Sequence, residues 1–139
     1  MGRGFGIAVV VLCAAVLCVA GCQPSDPEAK ILKQRARWDV QLLSWVQAAD
    51  SSIQMSTRLT GPPSSSIETL TVRIDLLDAS ERTINEVWHT FDLEPIARGG
   101  PLDVTVLLPA EGLQVEGIAI HRVLEPSPDE RQHIPELQP

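Results

Sequence analysis

Three cysteines and three histidines are the side chains of this 139-residue chain best suited to nucleophilic or metal chemistry, and their positions restrict that chemistry. Cys13 and Cys18 lie inside an unbroken apolar run, residues 7–20, and Cys22 follows it directly after Gly21. His89 and His121 fall on segments expected to be neighbouring strands. With Asp92 they form the one candidate set for zinc or copper. The competing reading, which the pattern favours, has each histidine lining a sheet surface or satisfied in the core. His133, in a proline-rich tail, is expected to be solvated. No Gly-x-Ser-x-Gly elbow, glycine-rich phosphate loop or His-Glu-x-x-His helix occurs. The chain therefore reads as non-enzymatic, with no catalytic residues, no cofactor and no metal.

The apolar run is 14 residues long. A helix crossing a bilayer core of about 30 Å needs roughly 20, whereas a signal-peptide h-region needs about 7 to 15. Arg3 and the initiator amine precede the run, and Gln23-Pro24-Ser25-Asp26 follows it. Val19-Ala20-Gly21-Cys22, small residues closing on a cysteine, resembles the lipobox of bacterial lipoprotein signal peptides. That resemblance implies cleavage between Gly21 and Cys22, with diacylglycerol on the Cys22 thiol and usually a further acyl chain, such as palmitate, on the new amino group. Residues 1–21 would be lost and Cys22 would hold the protein to a membrane outside the cytoplasm. Two or more acyl chains suffice for stable anchoring, since each buried methylene contributes roughly 0.8 kcal/mol. Gln23 stands where some bacteria use Asp to retain lipoproteins at the inner membrane, so the resemblance favours the periplasmic face of an outer membrane. After such a cut Cys22 is the only thiol left, which excludes an internal disulfide and a cysteine-ligated zinc.

The remaining 118 residues are enough for one domain. They carry 18 acidic against 10 basic residues, a balance of −8. That charge argues against nucleic-acid binding and against broad adhesion of the domain to anionic lipid.

Asp26-Pro27-Glu28 reads as a helix start, with an N-cap acid, proline at the first helical position and an early acid. It opens a short helix over residues 28–35, so that residues 22–35 form the lipidated cysteine, tether and helix. Lys30, Lys33, Arg35 and Arg37 cluster there; a solvated helix face is the preferred reading over a membrane contact. From residue 36 the period becomes two. Trp38, Val40 and Leu42 alternate with polar residues, and Ile53, Met55, Thr57 and Leu59 return, making a hairpin. Leu70, Val72, Ile74 and Leu76 mark the clearest strand, followed by a return over residues 83–93. There Ile84 and Val87 have opposite parity, which calls for a bulge near Asn85-Glu86. Val104, Val106 and Leu108 mark a fifth strand and residues 113–124 a sixth. Residues 125–139 hold four prolines and read as a tail, docked through Ile134 and Leu137 or free. Six strands separated by Gly-, Pro- and Ser-rich loops predict a mainly β fold. The expected architecture is an immunoglobulin-like or fibronectin-like antiparallel two-sheet sandwich over residues 36–124, preceded by the short helix, with a closed barrel as the rival.

The run Leu70-Thr71-Val72-Arg73-Ile74-Asp75-Leu76-Leu77-Asp78-Ala79, followed by Thr83-Ile84, resembles the core hairpin of FxLYD-type domains. These are small sandwiches of envelope lipoproteins. Glu94-Pro95-Ile96-Ala97-Arg98-Gly99-Gly100 is similar to the loop that follows, and residues 103–108 to the next strand. The similarity spans residues 38–123, with Asp75-Leu76-Leu77-Asp78 standing where the family carries Phe and Tyr. It implies fold and location and transfers no catalytic residue. Among three tryptophans, Trp38 belongs with the core face. Trp45 shares its parity with Leu43, so this pair marks either a bulge or a partly exposed protein-contact anchor. Trp88 shows the same ambiguity. The expected function is a lipid-anchored envelope protein presenting a sandwich to a protein partner; a small-molecule or metal-binding module is the alternative.

Overall fold

The computed structural model describes residues 26–138 apart from Ala97 and Gly99. The proposed signal segment, Gly21 and Cys22 lie outside the described residues. Helix α1 (Pro27–Ala36) begins as its sequence dictates: the Asp26 carboxylate accepts the Glu28 amide at 3.0 Å and Pro27 occupies the first turn. Six strands follow: β1 (Asp39–Gln47), β2 (Ile53–Thr60), β3 (Thr69–Leu77), β4 (Thr83–Asp92), β5 (Leu102–Leu108) and β6 (Gly117–His121). A short helix, α2 (Pro128–Arg131), and a 3₁₀ turn, Pro135–Leu137, end the chain.

The strands form two three-stranded antiparallel sheets, ordered β1-β2-β5 and β4-β3-β6. Chain crossings between them at β2–β3, β4–β5 and β5–β6 give the Greek-key connectivity of an immunoglobulin-like sandwich. The fold is a small β-sandwich and not a closed barrel. Its core comes from the phase read in the sequence: Ile53, Met55 and Leu59 of β2 face Leu70, Val72, Ile74 and Leu76 of β3, with Val106, Leu108, Phe91 and Trp38. Thr57, also in that phase, is fully buried and donates to the Val104 carbonyl at 2.9 Å, which satisfies its hydroxyl. Gly61 is required beneath Trp38: a Cβ there would lie 2.3 Å from the indole carbons.

Two irregularities reset strand phase. In β1 the register jumps between Leu42 and Ser44, leaving Leu43 as the extra residue. In β4 the jump leaves Ile84 unpaired, one residue before the position expected. The sixth strand is shorter than its sequence pattern, because the Gln47 amide takes over residues 113–115. It donates to the Leu113 carbonyl at 2.8 Å and accepts the Val115 amide at 3.1 Å, so these residues never join the ladder.

Because β6 pairs with β3 only from Arg73 to Leu77, the Thr71 end of β3 lacks a neighbour on that side. Helix α1 fills the gap. Its Arg35 is fully buried and donates to the Thr71 carbonyl at 3.0 Å and to the carbonyls of Arg122 and Val123. The tail then lies over the outer surface of this sheet. Ile134 is fully buried, Glu136 pairs with Arg35 at 3.2 Å and accepts from the Thr71 hydroxyl at 2.9 Å, and Glu130 pairs with Arg73 at 2.9 Å. Glu28 and Arg131 join α1 to α2. The tail is therefore docked.

Candidate functional site

The candidate metal residues do not meet. His89 pairs with Val72, whose side chain is in the core, and His121 pairs with Arg73, whose side chain points outward. The two histidines thus occupy opposite faces of the sheet, on strands separated by β3. His89 is half-buried, packs edge-on against Phe91 at 4.6 Å, and has its basicity pulled down by burial. His121 lies 3.2 Å from Asp75, which also takes Arg73 at 3.0 Å. Asp92 is exposed, in phase with Thr90 and Trp88 on the outward side of β4. Among the described residues no group of three or more His, Cys, Asp or Glu side chains could hold a metal ion. His133 is exposed, but not simply solvated: its ring stacks on Trp88 at 4.9 Å, which gives Trp88 an outward role beneath the tail.

The sequence pair Trp45 and Leu43 is split by the bulge. Trp45 turns inward and packs against the core, while Leu43 is left 41% exposed. Leu43 is not alone. Val46 of β1 and Leu107 of β5 both lie opposite Gln54 of β2, so they flank it on the outer surface of the β1-β2-β5 sheet. They are 62% and 73% exposed. With neighbouring strands about 4.8 Å apart, Val46 and Leu107 sit roughly 10 Å from each other. Ser44, Ser56 and Thr105 form the next row, and Arg58 and Asp103 close the far end with two bonds of 2.7 and 3.1 Å. The guanidinium holds the Asp103 carboxyl below the usual carboxylate range.

This face offers an apolar end, a hydroxyl middle and a charged end, suited to contact rather than to bond-making chemistry. Leu107 had a signal in the sequence, since it stands in the polar phase of β5 with Asp103 and Thr105. Val46 had none until the bulge at Leu43 fixed its parity. Both outer edges of the sheet are unpaired among the described residues. The bulge disturbs the β1 edge, whereas β5 is regular over seven residues, between Pro101 and Pro109.

A separate groove of about 530 Å³ opens at one end of the sandwich, over Trp38, Ile67, Leu93 and Ile96, with Glu68, Asp92 and Glu94 at its rim. Ser65 closes its floor by accepting from the Trp38 indole at 3.3 Å. No helix among the described residues is long and apolar enough to cross a membrane. No protein-family model, curated protein or solved structure matches this chain.

Proposed function

We propose that this chain is a non-enzymatic bacterial lipoprotein, acylated on Cys22, whose sandwich is presented to another protein of the cell envelope or serves envelope structure. The outer membrane, periplasmic side, is its favoured place, and FxLYD-like domains are its proposed kin. The observation that carries this reading is the asymmetry of the sandwich. Helix α1, which starts five residues after Cys22, and the C-terminal tail both pack on the β4-β3-β6 side. The opposite sheet is bare and exposes Leu43, Val46 and Leu107. Helix α1 and the free face are thereby on opposite sides of the sandwich. Partner binding then uses this face, or adds a strand along β5.

The test has two parts. Intact-mass measurement on protein purified from native membranes should find residues 1–21 removed and fatty acyl mass at Cys22; a chain starting at Met1 without lipid would sink the anchor. Photo-cross-linking from Gln54, between Val46 and Leu107 at the apolar end of the bare face, should trap one envelope protein. Cross-links only from residues of the tail-covered side would remove the presentation reading.

The small-molecule alternative has one observation in its favour, the groove over Trp38. A ligand there changes tryptophan emission on binding, and Ile67→Trp, which fills the groove, abolishes the change.

A further inference from the structure

Six of the ten Lys and Arg side chains among the described residues are engaged. Arg35, Arg58, Arg73, Arg82 and Arg131 have carboxylate partners, and Arg122 donates to the carbonyls of Ala36 and Trp38. Four cations make neither an ion pair nor a side-chain hydrogen bond among the described residues: Lys30, Lys33, Arg37 and Arg98. Three of these lie on or directly after α1 and are exposed. At 3.6 residues per turn, Lys30, Lys33 and Arg37 fall within about 60° of one another, and the docked side chains Glu28, Ile31 and Arg35 centre roughly 160° away. The packing of α1 therefore turns a basic stripe outward. Asp26, on the same side, is engaged in capping the helix.

We propose that this stripe seats on the anionic headgroups of the bilayer that holds the Cys22 lipid, fixing the orientation of the sandwich. The inference rests on acylation of Cys22 as proposed above. Two features select this occupant. From Cys22 to Asp26 there are four residue steps, which reach at most about 14 Å when fully extended. The acyl chains thus keep α1 within a few Debye lengths, each about 8 Å at physiological salt, of the headgroups. The rest of the domain, in a chain with 18 acidic residues, is repelled by the same surface, so only one side of the molecule gains by facing it. A polybasic patch beside acyl chains is the second signal that turns tethering into a defined pose. That pose directs the stripe to the membrane.

The test uses the full chain, processed in a lipoprotein-producing bacterium and reconstituted in vesicles. These are either phosphatidylcholine alone or an equimolar mixture with phosphatidylglycerol, each with a trace of headgroup spin-labelled lipid. Because the acylated mature chain has no other free thiol, single reporters Ala29→Cys and Gln54→Cys take a fluorophore specifically. The ratio of Ala29 to Gln54 quenching should rise in anionic vesicles and fall with added salt. Lys30→Glu/Lys33→Glu/Arg37→Glu should return it to the neutral-lipid value. Each cation shifts the balance of orientations by about five-fold, so the combined change exceeds ten-fold. The salt titration needs no stripe substitution and stands even if the triple variant folds poorly. A ratio indifferent to lipid charge and salt, on protein carrying acyl mass at Cys22, would overturn the stripe contact alone. Absence of acyl mass would overturn both readings.

Discussion

On the β4-β3-β6 sheet the outward side chains of the middle strand include Thr71, Arg73 and Asp75, and two of these are buried. On the β1-β2-β5 sheet the corresponding side chains of β2 are Gln54, Ser56 and Arg58, and none is buried. Polarity does not separate the two sets, yet one lies under protein and the other in water. The covered face is roofed by ion pairs and hydrogen bonds from α1 and the C-terminal tail, with Ile134 as its apolar pin. The uncovered face is the one carrying Leu43, Val46 and Leu107. Searching for apolar residues to decide which face is hidden would assign the two backwards. What matters is where a buried charge finds its partner.

The largest effect should come from breaking that roof at its most buried point. Arg35→Ala leaves Glu136, nearly inaccessible, without its cation, and the Thr71 carbonyl without its donor. Loss of one member of a buried pair costs about 3–5 kcal/mol, readable as a drop in the urea midpoint. Arg35→Met with Glu136→Leu should recover most of that loss, because the charges leave together. The mirror substitution on the bare face, Arg58→Ala, should leave the midpoint unchanged, since Arg58 and Asp103 are both exposed. Equal effects at Arg35 and Arg58 would mean that the tail is not a roof.

Ile134→Ala comes next. A fully buried isoleucine truncated to alanine costs about 2–5 kcal/mol, and here the loss should also free the tail. Protease cleavage after Arg131 should therefore accelerate in this variant while the sandwich itself resists.

A smaller effect concerns the inner side of the covered sheet. Burial holds His89 below the ordinary histidine value of 6.5, so the folded state keeps it neutral while the unfolded chain takes up a proton. The unfolded state then binds more protons, and stability falls as pH drops below 6.5 through the folded value. His89→Phe should flatten the stability profile below about pH 6.5. The carboxyls of Asp50, Asp78 and Asp103, also held below their usual range, act in the same sense at lower pH. An unchanged slope in His89→Phe would place that histidine in water.

How far the sequence shows these two faces depends on the range of the interactions that make them. Strand β3 is legible because alternation is local: Leu70, Val72, Ile74 and Leu76 need no partner to be recognised. The bulge in β1 is legible as a break in parity between Leu42 and Trp45, and the structure spends that break on Leu43. The sixth strand is drawn too long because Gln47, a side chain on another strand, captures residues 113–115. Arg35 is the extreme case. In sequence it is one basic residue among four on or just after a short helix, and its partner Glu136 is 101 residues away. Nothing local separates it from Lys33 or Arg37. A closing contact between α1 and the tail has no periodicity to betray it, so the docked tail and the bare face opposite emerge only in three dimensions.

The smallest effect on stability should accompany the largest on binding. Leu43→Ser, Val46→Thr and Leu107→Thr together remove apolar surface exposed on the bare face. Surface substitutions of this kind usually change stability by no more than about 0.5 kcal/mol, and the two threonines keep β-branching on their strands. The variant should therefore unfold at the parental urea midpoint and retain its acyl mass, while cross-linking from Gln54 to an envelope partner is lost. Because the tail-covered side is untouched, that loss could not be assigned to anchoring or to folding. A triple variant that still traps its partner would leave β5 strand addition as the remaining mode. Asp103→Pro within β5 would then decide it, since proline cannot extend a ladder from that edge. If both variants bind as the parent does, the bare face is only a solvated surface, and the comparison between the two faces describes the fold without describing its use.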